Sequence, residues 1–599
     1  MTEKPNVIVI VTDDQGYGDL ACHGNPVVQT PNLDRLHEES IRFTDFHVAP
    51  MCTPTRGQLL TGTDAARNGA LNVSSGRTLL STDYPTMADY FSAAGYATGI
   101  FGKWHLGDNY PFRPEDRGFQ EVLWFPSSHV NSVPDYWEND YFDDVYQHNG
   151  IRERQRGYCT EVFFDRAMEW MERQSQSGQP FLTYLPTNAP HAPLWVPPDD
   201  RIEAERYFAE HEHEMASVDP AVRPHLIRFL AMISNFDRHL GRLRQFLEAR
   251  HLAANTLILF LTDNGSTFGN AYYNANMKGA KTELWEGGHR VPCFLHWAGG
   301  GVGAPRDVPG LTQAQDILPT LLDLCDIRPE TLHPSPGAST GPRPEFDGVS
   351  LAPVVRGEAS PPESRMIVIN YSRMPHNFDY PSPEAPSVVR RDGSAVLWRR
   401  WRLLNEDQLY DLDSDPLQER NVITDHPSVA KSMSDHLQDW WEDVMVPANS
   451  PQAVIVGSPH ENPTLLSACE WRDVFVDMQN QVRLAVRRNS YTYIDVAWPG
   501  TYTVALRRWP EESGLALGES CPETQVTDGT LPAGESLPIR YARIHVQGQH
   551  LQQEVNPESQ EAVFTIELAT GRSVLHTWFD DEAKRPICGA YYVTMTAQR

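Results

Sequence analysis

The chain has 599 residues, of which 40% are hydrophobic and 10% aromatic, as in an ordinary globular enzyme. A single hydrophobic core rarely serves so long a chain, so we expect more than one domain. The formal net charge of −29 argues against nucleic acid as a partner, because phosphate binding needs a basic face. Any site for an anion must therefore be a local basic pocket.

No stretch of the sequence is long enough to span a bilayer, and no basic leader precedes the short apolar run at residues 7–11. We therefore expect a cytoplasmic protein, or a periplasmic or secreted one if a leader has been removed. The eight cysteines contain no CxxC pair, which argues against a zinc ribbon and a disulfide framework.

From residue 6 to about 365, apolar runs alternate with helical patterns. The runs at 7–11, 181–185 and 257–261 have no polar alternation, which is typical of strands buried on both faces. Helical periodicity occurs at 84–94, 163–173 and 222–250. The pattern predicts an α/β catalytic domain over residues 1–365, with a large, mainly parallel sheet flanked by helices. A Pro- and Gly-rich stretch at 328–343 predicts a surface loop.

The pattern changes after residue 365. Short alternations at 387–397, 400–404 and 408–412, followed by a helix near 428–445, predict a small antiparallel-sheet subdomain over residues 366–450. Residues 446–451 resemble a linker. Alternation at 501–506 and 562–568 predicts an additional β-sandwich-like accessory domain over residues 464–599.

Two polar pairs follow two of the predicted buried strands, Asp13-Asp14 in one case and Asp263-Asn264 in the other. Ligands of open α/β sheets collect beyond the carboxyl ends of strands, so we expect these four side chains to converge. Three carboxylates and an amide suit Ca²⁺ or Mg²⁺ rather than zinc. A single Asp at a strand end more often makes an Asx turn or caps a helix, but two such pairs favour a metal site.

The segment Cys52-Thr-Pro-Thr-Arg56 has the features of an anion site at a helix start. Pro54 suits the first turn of a helix, where free backbone N–H groups can bind an anion. Arg56 would add a bidentate donor. From these residues alone, Cys52 is also consistent with an activated thiolate or an inert buried thiol.

Cys-x-Pro-x-Arg followed by Gln58-Leu-Leu-Thr-Gly62 resembles the signature of the type I sulfatases, members of the alkaline phosphatase superfamily. Further segments resemble that family in the same order, namely 6–19, 102–107, 190–193, 262–265, 281–288 and 408–416. The resemblance covers about residues 5–447 and implies an alkaline phosphatase-like fold that hydrolyses sulfate esters. Thr55 stands where the family usually has Ser, which preserves the hydroxyl.

The resemblance also implies roles for individual residues. It implies that Cys52 is converted to formylglycine by a separate maturation enzyme and lies at the metal, and that Arg56 holds the aldehyde hydrate. Lys103 and His105 would contact the sulfate and the formylglycine, and His191 and Lys281 the ester and its leaving oxygen. The implied Ca²⁺ ligands, with Mg²⁺ as the alternative ion, are Asp13, Asp14, Asp263 and Asn264.

The implied chemistry accounts for these residue types. One hydroxyl of the hydrated aldehyde attacks sulfur in line, and the other collapses to C=O and ejects sulfate. Cationic side chains stabilise the charge that develops on the sulfate oxygens. His105 would remove the proton of the second hydroxyl, and His191 would protonate the leaving oxygen.

Residues 124–146 are rich in aromatic and acidic side chains, among them Trp124 and Trp137. Such residues hold sugar rings by stacking and hydrogen bonding, but they equally pin a long insertion onto a protein body. We expect the partner to be a sparsely charged sulfated small molecule or oligosaccharide. The segment 500–509 resembles extensions of bacterial sulfatases, for which carbohydrate binding, a structural lid and a dimer contact are alternatives.

Two other functions compete with this interpretation. A phosphonate monoester or phosphodiester hydrolase of the same superfamily would use similar geometry. A catalytically silent sugar-binding protein would not need the Cys-x-Pro-x-Arg cysteine. The complete set of Lys103, His105, His191 and Lys281 favours the sulfatase.

Overall fold

The computed structural model describes residues 4–329, 345–371 and 386–598. Up to residue 329, ten strands form one mixed sheet, in the order β11-β2-β10-β9-β1-β8-β4-β5-β6-β7, and β12 pairs with β3. These strands are β1 (Asn6–Thr12), β2 (Ile41–Phe43), β3 (Phe46–His47), β4 (Ala97–Lys103), β5 (Glu121–Phe125), β6 (Val145–His148), β7 (Ile151–Arg154), β8 (Phe181–Pro186), β9 (Thr256–Thr262), β10 (Cys293–His296), β11 (Arg306–Val308) and β12 (Thr312–Gln313).

The middle of this sheet, β9-β1-β8-β4-β5, is parallel, so the carboxyl ends of five strands meet at one edge. This confirms the predicted mainly parallel α/β sheet. All residues of β1, β4, β8 and β9 are buried, which explains their lack of polar alternation. The described helices of the predicted catalytic domain, or catalytic part (residues 1–365), are α1 (Pro31–Glu38), α2 (Cys52–Thr61), α3 (Ala65–Asn68), α4 (Met87–Ala93), α5 (Cys159–Gln176), α6 (Pro198–Glu210), α7 (Arg223–Ala249), α8 (Glu286–His289), α9 (Ile317–Leu324) and α10 (Ala352–Val355).

Three of these helices, α4, α5 and α7, correspond to the three predicted helical stretches. Helix α4 begins later than predicted because Thr86 and Asp89 form a capping box, in which the Thr86 amide donates to the Asp89 carboxylate at 2.8 Å. The predicted loop at 328–343 lies almost wholly outside the described residues.

A small antiparallel sheet follows, made of β13 (Met366–Ile369), β14 (Ala395–Trp398), β15 (Trp401–Leu404) and β16 (Gln408–Asp411) in that order, with α11 (Pro427–Ala448) packed against it. The strand predicted at 387–397 is shorter, because residues 391–393 form a 3-10 turn before β14. The predicted linker at 446–451 begins inside α11, which continues through Pro447 to Ala448.

The C-terminal β module (residues 454–597) consists of two sheets, ordered β17-β19-β26-β23-β24, with β27 beside β26, and β18-β28-β20-β25. Strand β17 joins the first sheet, so the module begins before the predicted start at 464. A hairpin and the short α12 (Gln479–Arg483) complete it. Its strands are β17 (Val454–Val456), β18 (Thr464–Ser467), β19 (Thr492–Val496), β20 (Gly500–Arg507), β21 (Thr524–Val526), β22 (Gly529–Leu531), β23 (Tyr541–Val546), β24 (Gln549–Glu554), β25 (Ala562–Leu568), β26 (Gly571–Asp580), β27 (Pro586–Cys588) and β28 (Tyr592–Ala597).

The hydrophobic core of the C-terminal β module extends into the N-terminal part of the chain. Leu79, Phe112, Val133 and Trp137 pack in the same cluster as the module's own side chains. The module is therefore docked through a shared apolar core. Among the described residues, no helix has both the length and the apolar composition needed to cross a membrane.

Candidate active site

The two polar pairs meet at the carboxyl edge of the sheet. Thr12 and Thr262 are neighbours at the ends of the parallel strands β1 and β9, so the residues that follow them lie side by side. The Asp14 amide donates to Asp263 Oδ1 at 3.2 Å, and Asn264 Nδ2 donates to Asp14 Oδ1 at 2.9 Å. The four predicted ligand side chains are brought together and are buried.

Cys52 is the first residue of α2, and its side chain points into this group. The Cys52 sulfur lies 3.3 Å from Asp13 Oδ1, 3.7 Å from Asp14 Oδ1 and 3.1 Å from Asn264 Oδ1. Burial, together with the negative charges of Asp13 and Asp263, raises the pKa of the thiol well above its ordinary value. The encoded cysteine is therefore a thiol here, which argues against the alternative of an activated thiolate.

Three cationic side chains surround the carboxylates. Arg56 donates to Asp263 Oδ2 through Nε at 3.0 Å and Nη2 at 2.7 Å, and Lys103 Nζ lies 2.6 Å from Asp13 Oδ2. Lys281 Nζ contacts the Asp14 carboxylate and lies 3.3 Å from the Cys52 sulfur. Gly102, with φ of +128°, precedes Lys103, and a Cβ there would lie 2.0 Å from the Pro186 carbonyl oxygen. Only glycine allows this approach of β4 to β8 beside Lys103.

The two predicted histidines are both partly or fully buried close to this group. His105 Nε2 donates to the Val73 carbonyl at 2.9 Å, and its buried Nδ1 has no partner among the described residues. Burial and Lys103 lower the pKa of His105 well below its ordinary value, so the ring is neutral with a lone pair on Nδ1. His191 Nδ1 donates to the Ala192 carbonyl at 2.5 Å, and Nε2 lies 3.7 Å from Asp14 Oδ2.

Comparison of this chain with known proteins agrees with the geometry of the site. A family model described as Sulfatase matches residues 5–327. The chain belongs to the sulfatase family. As a member it is a sulfuric ester hydrolase, and every residue carried over from the resemblance lies within the matched range.

The sulfatase is 30% identical over 400 residues to arylsulfatase G of Rattus norvegicus, covering 59% of this chain and 69% of that protein. It is 28% identical over 377 residues to N-acetylgalactosamine-6-sulfatase of Homo sapiens, covering 59% and 66%. Among solved structures, Ps i-CgsB in complex with k-i-k-neocarrahexaose superposes with a TM-score of 0.61 at 25% identity, covering 75% of this chain and 95% of that one.

The donor set of the sulfatase fits a hard divalent cation. Ligand atoms of Asp13, Asp14, Asp263 and Cys52 all lie within 4.8 Å of one another, and every one of these residues is buried. Burial and the neighbouring Asp13 raise the pKa of Asp263 to about 6. Burial also raises the pKa of Asp14, but Lys281 and His191 outweigh it and hold that pKa below its ordinary value. Buried carboxylates packed this closely repel one another, and a bound calcium or magnesium ion would offset that repulsion.

The two tryptophans predicted to bind substrate lie elsewhere. Trp124 is in β5 with 2% of its surface exposed and packs in the core of the catalytic part. Trp137 is 8% exposed, its ring centroid is 5.5 Å from that of Trp509, and the Arg483 guanidinium lies 4.9 Å above it. Both indoles are buried and packed against other side chains, which argues against sugar stacking on either. Of the two alternatives for this insertion, the structure favours pinning.

Residues not predicted from the sequence also flank the site. His129 stacks on His191, with ring centroids 5.4 Å apart and an interplanar angle of 21°. Ser128 and His129 in turn contact Asp477 of the C-terminal β module. No local motif marks His129 or Asp477, because their relation depends on how the module docks.

Proposed function

We propose that this sulfatase hydrolyses sulfate esters of a carbohydrate, using formylglycine formed from Cys52 and a Ca²⁺ ion. The observation that carries the proposal is the position of the Cys52 sulfur, within 3.1–3.7 Å of three prospective ligand oxygens and 3.3 Å from Lys281 Nζ. An encoded thiol of raised pKa would be a weak nucleophile there, which supports its conversion by a maturation enzyme.

Asp13, Asp14, Asp263 and Asn264 would hold the metal. When bound, a divalent ion polarises an oxygen next to it and offsets negative charge, and hydrated formylglycine supplies one hydroxyl oxygen to attack sulfur and a second that allows sulfate to leave. Lys281 and Lys103 are placed beside Cys52 and the carboxylates, where their ammonium groups can bind sulfate oxygens. Arg56 holds Asp263 in place with two hydrogen bonds.

The histidines can hold or move protons at defined atoms. His105 Nδ1 carries a lone pair and can accept a proton, because its Nε2 proton is bonded to Val73. His191 uses Nδ1 to donate to the Ala192 carbonyl, so it can give a proton to the leaving oxygen from Nε2 only as the imidazolium. Burial lowers the pKa of His191 to about 4, and the nearby Asp14 carboxylate opposes this shift by stabilising the charged ring.

The carbohydrate substrate is supported by the relatives. N-acetylgalactosamine-6-sulfatase is named for a sulfated amino sugar, and Ps i-CgsB was solved with k-i-k-neocarrahexaose.

The test of the nucleophile is mass spectrometry of the tryptic peptide 43–56 together with the rate of 4-nitrophenyl sulfate hydrolysis. Protein produced in its native host, or with a co-expressed maturation enzyme, should contain the aldehyde or its hydrate. Cys52→Ala should lower kcat/KM by about a thousandfold or more, since the nucleophile is lost. Active protein that contains only unmodified cysteine would disprove the proposed nucleophile.

The same preparation should be compared on 4-nitrophenyl sulfate and 4-nitrophenyl phenylphosphonate. We expect the higher kcat/KM on the sulfate, because its three non-bridging oxygens offer more acceptors to the cation set than the two of the phosphonate, which carries a phenyl group in the third position. A much higher kcat/KM on the phosphonate would replace the proposal with a phosphonate monoester hydrolase.

A further inference from the structure

A chain of contacts leads from the C-terminal β module to the catalytic histidine. Asp477 accepts a hydrogen bond from the Ser128 hydroxyl, and Ser128 Oγ lies 2.6 Å from His129 Nδ1. The His129 ring stacks on His191. Ser127 Oγ also donates to Asp477, through the other carboxylate oxygen at 3.1 Å, but has no bond to His129. The module thus fixes the loop on which His129 lies.

The donors and acceptors in this chain determine the tautomer of His129. A carboxylate can only accept, so the Ser128 hydroxyl must donate to Asp477. Ser128 Oγ is then the acceptor for the proton on His129 Nδ1. Burial lowers the pKa of His129 to about 3 although Asp477 opposes this, so the ring is neutral and Nε2 keeps its lone pair.

His129 Nε2 is an acceptor on the ring that stacks against His191. Within the described ranges 4–329, 345–371 and 386–598, the hydrogen bond of the His129 ring is made by Nδ1 to Ser128 Oγ, which leaves Nε2 for a ligand. His191, on which the His129 ring stacks, lies with Nε2 3.7 Å from Asp14, the carboxylate that Lys281 contacts, so His129 lies close to the cation set. A lone acceptor beside sulfate-binding cations selects for a hydroxyl group, because hydroxyls donate and sulfate oxygens do not.

We propose that His129 is a further substrate-binding residue, whose Nε2 accepts a hydrogen bond from a sugar hydroxyl near the sulfated carbon. Asp477 of the C-terminal β module acts through Ser128 as the positioning residue that keeps this tautomer. The inference rests on the proposed function, and it names the feature of the alcohol that the site recognises. An aryl sulfate, which lacks such a hydroxyl, would gain nothing from His129.

The test is isothermal titration calorimetry on full-length Cys52→Ala protein with calcium present, so that binding is measured without turnover. The probes are inorganic sulfate, N-acetyl-D-galactosamine 6-sulfate, D-galactose 6-sulfate and D-glucosamine 6-sulfate. Adding His129→Phe keeps a stacking ring but removes the acceptor. We expect about a five- to tenfold weaker affinity for the monosaccharide sulfate that binds best, from loss of one hydrogen bond, and unchanged affinity for inorganic sulfate.

A matched pair of serine variants separates the relay from general packing. Ser128→Ala removes the acceptor of the His129 proton and should weaken the affinity for the same monosaccharide sulfate about two- to fivefold. Ser127→Ala removes a hydroxyl that bonds the same carboxylate and should leave the affinity unchanged. These variants also test the inference if His129→Phe does not fold.

Equal losses for inorganic sulfate and monosaccharide sulfates would overturn the inference, because His129 would then only support His191. So would a parent protein that binds no monosaccharide sulfate more tightly than inorganic sulfate. Absence of inorganic sulfate binding would instead contradict the proposed function itself, and the inference would fall with it.

Discussion

At the residue scale, the immediate surroundings of Cys52 balance in charge. Three buried carboxylates face three cations, and the contacting residues are Asp13, Asp14 and Asp263 against Arg56, Lys103 and Lys281. A divalent ion would add two positive charges to this neutral set. A singly charged sulfate ester then enters a locally positive pocket, although the whole chain carries a net charge of −29.

Calcium should therefore stabilise the folded protein measurably. Because the ion binds only the folded arrangement of the four donors, adding Ca²⁺ to metal-stripped protein at about a hundred times its Kd should stabilise it by about 2.7 kcal/mol. Differential scanning fluorimetry will detect this as a rise in Tm. Asp263→Asn should abolish the rise, because one charged donor is lost.

Asp19→Asn is the matched control for that measurement. Asp19 is also a buried carboxyl near this edge of the sheet, bonded to the Gly16 amide, but it is not among the donors. Its variant should keep the calcium-induced rise in Tm. An undiminished rise in Asp263→Asn would contradict the assigned donor set.

At the scale of elements, one segment of the C-terminal β module, residues 470–477, holds two loops of the catalytic part. Ser75 Oγ donates to the Val474 carbonyl at 3.0 Å. Ser75 lies two residues after Val73, whose carbonyl accepts the hydrogen bond that orients His105. The Val133 amide donates to the Asp477 carbonyl at 2.8 Å, in the loop that carries His129. Substitutions in residues 470–477 should therefore change the positions of both His105 and His129.

Glu470 at the start of this segment should make stability depend on pH. Burial raises its pKa to about 7 from an ordinary 4.5, although the Thr78 hydroxyl and Arg472 oppose the shift. The folded carboxyl thus binds its proton more tightly than the unfolded one. This protonation stabilises the folded protein by about 3 kcal/mol below pH 4.5, and the stabilisation is lost as the pH rises through about 7.

Urea denaturation between pH 5 and pH 8 will measure this effect. Glu470→Gln keeps an acceptor for Thr78, which donates at 2.7 Å, but removes the titrating group. Its unfolding free energy should fall less with rising pH than that of the parent. The exposed Glu558→Gln serves as control, and parallel pH curves for parent and Glu470→Gln would disprove the assignment.

At the scale of the whole molecule, the aromatic insertion at 124–146 joins the catalytic part to the C-terminal β module. Trp137 packs against Trp509 and Arg483, and Glu138 pairs with the same arginine. Asp140 accepts a hydrogen bond from the Thr527 amide at 2.7 Å. The aromatic and acidic side chains that suggested a sugar platform are used at this interface.

Trp137→Ala should consequently lower stability rather than substrate affinity. Removing a buried indole from a packed interface should reduce the unfolding free energy by about 3–5 kcal/mol in urea denaturation. The KM for a sugar sulfate should stay the same at temperatures where the variant is folded. Tyr136 is the half-buried neighbour of Trp137, and Tyr136→Ala should reduce the unfolding free energy by less. A raised KM for Trp137→Ala without loss of stability would restore the stacking role.

The amino-acid sequence was enough to predict the α/β class and the convergence of the two polar pairs, and the order of motifs shared with the sulfatases implied the cation set. These depend on short apolar runs, on residues at strand ends and on the order of motifs, which are local properties. It could not separate a sugar platform from a docking surface for Trp137, because both use the same residue types.

How the C-terminal β module contacts the active site is seen only in the tertiary structure. Ser128 and Asp477 are 349 positions apart, and no periodicity or motif connects them. Their contact follows from the docking of a shared hydrophobic core, a long-range event that composition and spacing do not encode. That docking places Asp477 against Ser128 and His129, beside the His191 ring of the active site.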